Sequence, residues 1–231
     1  MTISTYLKNS SHRFYGAVVA LVMLILYEIC IVWGGPEVII RNAPEAWLRL
    51  TLNFFGVSHY YISFIMVTVF ILAIPIFYKA GLVVERAVFP LMIGESIIWG
   101  IFSGIFIQML IANLFFMSGG MTNSIVRNLG LAIGAGLFEE LFFRVILTTS
   151  LIWILLKIIK IKWISVSLAV LVASLLFSAA HYVGNAADVF ELYSFLFRFF
   201  AGLWFTTLYA ARGFAVVCMT HAFYDILVIL V

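Results

Sequence analysis

Apolar residues in this chain run in long stretches and do not alternate with polar ones. Seven stretches stand out, at about Phe14–Trp33, Tyr60–Tyr78, Val88–Met117, Asn128–Leu156, Trp163–His181, Tyr193–Ala211 and Phe214–Val231. A helix of roughly 20 apolar residues crosses a hydrocarbon core about 30 Å thick. Within that core every backbone N–H and C=O must be satisfied inside the segment, so each stretch is predicted to be a transmembrane helix. The third is longer than a bilayer needs, which implies tilt or an interfacial part. Gly34-Gly35-Pro36, Gly119-Gly120 and Arg212-Gly213 mark breaks. The first stretch follows Lys8 and Arg13 as a signal peptide would. It is too long for one, and no small-x-small cleavage signal follows, so it reads as a retained first helix.

Composition agrees with this class. The chain is 65% hydrophobic and 10% charged, where a soluble domain is roughly 25% charged. The expected architecture is an all-α, polytopic transmembrane bundle of about seven helices. It forms a single membrane-embedded domain over residues 1–231. The formal net charge of +3 leaves no basic face for nucleic acid. Cys30 and Cys218 sit in separate apolar stretches, so neither a disulfide framework nor a zinc-finger site is expected.

Charge also orients the bundle. Lys8, Arg13, Lys79, Arg86, Lys157, Lys160, Lys162 and Arg212 fall on alternate connections, eight basic residues against three (Arg41, Arg49 and Arg127) on the others. That bias predicts a cytoplasmic N-terminus. The protein is expected in a membrane as a multi-pass chain, the cell membrane if its source is bacterial.

The fourth stretch breaks its own pattern at Gly136-Leu-Phe-Glu139-Glu140-Leu-Phe-Phe-Arg144. Ionisable groups inside a membrane helix cost several kcal/mol unless they are paired or face a polar cavity. Glu140 and Arg144 are four apart and can pair on one helical face, while Glu139 points about 100° away. An intramembrane clamp would account for Glu140 and Arg144; it accounts poorly for Glu139, because one arginine cannot readily neutralise two carboxylates.

Two later stretches carry further polar groups. Phe177-x-x-x-His181 ends the fifth helix, and His221-x-x-x-Asp225 places two groups on one face of the last. A carboxylate beside a histidine in a low-dielectric site can take a proton from water, and Glu139 with His181 fits that role. A second histidine with an acid or amide can stabilise an oxyanion, and His221 with Asp225 fits that one. No GxSxG or HExxH motif occurs. Two histidines and a carboxylate can also ligate zinc, so a metal-dependent membrane hydrolase or a proton-coupled carrier stays open. Glu28 and Glu95, in the first and third stretches, read as satisfied polar groups or as members of a relay.

These three motifs, in this order and on three helices, resemble the CPBP family, the CAAX-type and bacteriocin-processing (Abi) intramembrane endopeptidases. The resemblance covers about Gly130–Asp225. It implies a metal-independent glutamate protease without cofactors, acting on a protein or peptide substrate in the bilayer. It makes residues 126–231 the catalytic core and residues 1–125 the N-terminal helices. By this carry-over Glu139 is the general base and His181 its partner on the water. His221 and Asp225 form the oxyanion site, with Glu140, Arg144 and Phe177 in support. The family often has Asn at the last position; an ionised Asp225 would repel an oxyanion, so it must be protonated, orient His221, or pair with Arg198. The alternative function is a non-catalytic scaffold that uses the same fold to bind a membrane partner.

Overall fold

A computed structural model describes residues 1–34, 42–78, 82–110, 124–184 and 187–230, and every element in them is helical. The seven apolar stretches become α2 (Arg13–Trp33), α4 (His59–Phe77), α5 (Val88–Leu110), a continuous helix over Ile125–Ile159, α8 (Lys162–Ala180), α9 (Leu192–Arg212) and α10 (Phe214–Leu230). The continuous helix has three parts: α6 (Ile125–Gly134), a π segment (Ala135–Thr148) and α7 (Thr149–Ile159). Among the described residues four helices are long and apolar enough to cross a membrane: Arg13–Trp33, Val88–Ile107, Ile125–Ile159 and Lys162–Ala180. Tyr61–Phe77 and Phe214–Leu230 are apolar but shorter. The predicted break at Arg212-Gly213 is the corner between α9 and α10, where Gly213 takes φ +78°. The breaks at Gly35-Pro36 and Gly119-Gly120, and the end of the third stretch at 111–117, lie outside the described residues.

Small residues decide which helices meet. Gly130 and Gly134, four apart, face α2; a Cβ on them would stand 2.8 Å from the Cys30 Cβ and 2.6 Å from the Tyr27 ring. Paired small residues of this kind let helix backbones approach closely in a membrane. Gly136 does the same toward α10, where a Cβ would be 2.5 Å from the Cys218 carbonyl oxygen. Helix α10 thereby lies against both α5 and the π segment, and α8 packs along α9. Tyr15, Leu24, Tyr27, Met92, Leu137, Val216 and Cys218 fill the core between these helices.

Two short helices were not anticipated. The first, α1 (Ile3–Ser10), is fastened to the α9–α10 corner. Arg212 donates to Glu95 from Nε at 2.6 Å and from Nη2 at 2.7 Å, and its Nη2 also donates to Ser10 Oγ at 3.0 Å. The Tyr6 hydroxyl donates to Glu95 as well. Burial, together with the Glu95 carboxylate, holds the Tyr6 phenol above its usual range, which keeps it a donor. Glu95 is thus a satisfied group in a four-residue clamp, and Arg212 is buried in that clamp instead of standing free in a connection.

The second, α3 (Ala43–Phe54), carries Glu45 and Arg49, which hydropathy assigns to a connection. Both are buried. Arg49 binds Glu45 one turn away at 2.5 Å and reaches Glu28 of α2 at 2.9 Å. Ser63 of α4 donates to the same Glu28 oxygen at 2.6 Å. A buried charge is tolerable when paired and hydrogen-bonded in this way, so Glu28 is a structural group. Arg127 is also buried. Three of the cations counted for orientation therefore sit inside the bundle, while Arg41 and Lys79 lie outside the described residues.

Candidate active site

The residues singled out from sequence sit on the π segment, α8 and α10. The π segment contains fourteen residues. At its end the Thr149 N–H bonds to the Arg144 carbonyl, five residues back. The Thr148 and Thr149 hydroxyls likewise donate to the carbonyls of Phe143 (2.7 Å) and Arg144 (3.3 Å). Helices of this width are rare beyond a single turn and concentrate at functional sites. Sequence reasoning assumed α geometry here; the wider helix takes smaller angular steps, so Glu139 and Glu140 diverge less than anticipated. The Glu140–Arg144 pair survives the change, with Oε2 3.1 Å from Nε and both side chains 0% exposed.

Glu140 has a second partner that the sequence did not reveal. Its Oε1 lies 2.6 Å from Nδ1 of His221. A carboxylate oxygen accepts, so Nδ1 carries the proton and the tautomer is assigned from its partner. Nε2 then turns toward Asp225, whose Oδ2 is 3.7 Å away. That is an electrostatic contact beyond hydrogen-bond range. Phe205 of α9 stacks on the imidazole, with centroids 4.5 Å apart and planes within 14°. The only trace of this meeting in the sequence is a complementary run of small residues, Gly136 on one helix and Cys218 and Ala222 on the other.

The second motif joins through Phe177. Its ring takes the edge contacts of Phe143 at 5.1 Å and His181 at 5.0 Å, and the Arg144 guanidinium sits 4.5 Å over it. This face is where Arg144 rests, since neither Nη atom has a hydrogen-bond partner among the described residues. Nδ1 of His181 lies 2.9 Å from the Phe177 carbonyl oxygen. A carbonyl only accepts, so Nδ1 donates and the neutral ring keeps its lone pair on Nε2.

Glu139 is half-buried, and among the described residues no hydrogen bond or ion pair engages its carboxylate. It lies within electrostatic range of Arg144, His221 and Asp225. Arg198 does not reach for Asp225: its Nη2 binds Asp188 at 2.5 Å, which removes that structural alternative for Asp225. Among the described residues no three His, Cys, Asp or Glu side chains converge as metal ligands would.

Residues 121–227 match the family of type II CAAX prenyl endopeptidases, Rce1-like. This part of the chain is a CPBP-family domain. No curated protein and no solved structure matches the chain. The matched stretch encloses all three motifs. The match suggests CAAX-type protease activity in a membrane-embedded setting. Helices α1 to α5 precede the domain, yet α5 and α2 are what hold its α10 and α6 in place.

Proposed function

We propose that the protein is an intramembrane endopeptidase that hydrolyses a peptide bond of a membrane-associated or exported protein with water activated by Glu139. The observation that carries this reading is the junction of the three motifs. Glu140 ties the π segment to His221 of α10, and Phe177 ties the same segment to His181 of α8. Glu140 and Arg144 are consumed in holding this junction, which leaves Glu139 as the carboxylate free to act.

In this mechanism Nε2 of His181 accepts a hydrogen bond from water, and Glu139 takes the proton as the oxygen attacks the carbonyl carbon. The tetrahedral oxyanion meets His221. With Nδ1 committed to Glu140, His221 donates from Nε2 as an imidazolium, a charge that Glu140 and Asp225 balance. Asp225 acts on the imidazole and not on the oxyanion, because a carboxylate would repel one. Collapse of the intermediate breaks the C–N bond, and Glu139 returns its proton to the departing amine. Each step uses a side chain of this chain and none routes through a metal. The same reading places the N-terminus in the cytoplasm and passes all seven apolar helices through the membrane.

The direct experiment compares membrane peptidomes of cells that carry the wild-type chain or Glu139→Gln. Cleavage products present only with the wild type are expected; identical peptidomes from equally expressed proteins overturn the proposal.

A further inference from the structure

Three of the five lysines in the chain, Lys157, Lys160 and Lys162, lie within one short turn, and no acidic residue occurs between Glu140 and Asp188. The turn is tight. Helix α7 ends at Ile159, Lys160 adopts a left-handed conformation at φ 60°, and α8 begins at Lys162. The Lys160 N–H closes the reversal on the Leu156 carbonyl at 3.2 Å. All three lysines are exposed, so the turn presents three cations with no counter-charge of its own.

The residues around them are as telling. Trp153 and Trp163 are 61% and 71% exposed, and Ile158 and Ile161 are exposed beside them. The Lys157 ammonium sits 3.4 Å from the centroid of the Trp153 ring. Further along, Ile154 of α7 and Leu168, Leu171 and Leu175 of α8 also face outward. The helix pair is therefore apolar along its outer side, ringed by tryptophan near its end and capped by lysine. Indole rings favour the headgroup level, and lysines just beyond it attract anionic lipid. An acidic protein would account for the lysines alone; a lipid accounts for the exposed indoles and isoleucines at the same level.

We propose that the α7–α8 turn is a binding surface for anionic phospholipid headgroups. Lys157, Lys160 and Lys162 contact the phosphates, and Trp153, Ile158, Ile161 and Trp163 lie at the acyl boundary. The surface is separate from the candidate active site and does not depend on it.

The test reconstitutes the full chain in phosphatidylcholine vesicles and measures quenching of its tryptophans by brominated phosphatidylglycerol or brominated phosphatidylcholine. The wild type is expected to be quenched more by the anionic lipid at equal mole fraction. The Trp153→Phe/Trp163→Phe variant should lose most of that excess. In Lys157→Gln/Lys160→Gln/Lys162→Gln the preference should vanish, at on the order of fivefold in affinity per lysine, and Lys→Arg at the same positions should keep it. Equal quenching of the wild type by both lipids overturns the proposal without recourse to any variant. So does a preference that survives in the triple glutamine protein. Tight binding of soluble poly-glutamate by a chain indifferent to phosphatidylglycerol would also overturn it, in favour of an acidic protein partner.

Discussion

The Glu140 carboxylate holds the imidazole of His221 on one oxygen, at 2.6 Å, and the Arg144 guanidinium on the other, at 3.1 Å. One buried side chain thus serves both the stability of the π segment and the position of α10. Neutralising it leaves a fully buried guanidinium unpaired, a loss on the order of 3–5 kcal/mol. Glu140→Gln is expected to lower the thermal midpoint of the purified protein by on the order of 10 °C. Glu140→Gln/Arg144→Met should recover part of the loss. Unchanged midpoints in Glu140→Gln and in Arg144→Met alone would refute the pair.

Glu139 should behave in the opposite way. Its carboxylate supports no described contact, so Glu139→Gln should insert and melt like the wild type. Proteolysis should fall by about 10²- to 10⁴-fold, the usual contribution of a general base. Activity within a few-fold of wild type would remove Glu139 from that role.

Chelation separates glutamate chemistry from metal chemistry. Full activity is expected after exhaustive treatment with EDTA or phenanthroline, with no stoichiometric zinc in the purified protein. Zinc lost together with activity, and both restored together, would transfer the water to a metal.

At Gly136 the backbones of the π segment and α10 approach so closely that an added methyl would sit 2.5 Å from the Cys218 carbonyl oxygen. Gly136→Ala must push the two helices apart, at about 1–3 kcal/mol. The displacement moves Glu140 away from His221, so activity should fall further than stability. A wild-type kcat in Gly136→Ala would show that the site tolerates the shift.

Topology has its own test. In a chain freed of Cys30 and Cys218, a cysteine at Gly184 should react with a membrane-impermeant thiol reagent on intact cells, and one at Ile158 should not. Labelling at Ile158 alone would invert the bundle.

The sequence was most legible where a single helix sufficed. Within the described residues apolar run length located the long helices to within a few residues, and i,i+4 spacing found the Glu140–Arg144 pair because both partners share one segment. What failed needed a second segment. Arg49 and Arg212 look like connection charges beside their sequence neighbours; they are buried because Glu28 and Glu95, 21 and 117 residues away, meet them. The His221–Glu140 bond spans 81 residues and has no local signature. The π geometry was missed for another reason. It depends on a choice between carbonyls four and five residues back, and side-chain hydropathy does not report that choice.

The clamp at the α9–α10 corner bears on the order in which the protein is assembled. Ser10 and Arg212 are 202 positions apart. Synthesis must therefore run from α1 through α9 before Arg212 arrives to engage Tyr6, Ser10 and Glu95. Until then Glu95 lacks its Arg212 partner. A nascent chain arrested before Arg212 therefore holds α1 without this anchor, and the clamp can close only once the α9–α10 corner has been made.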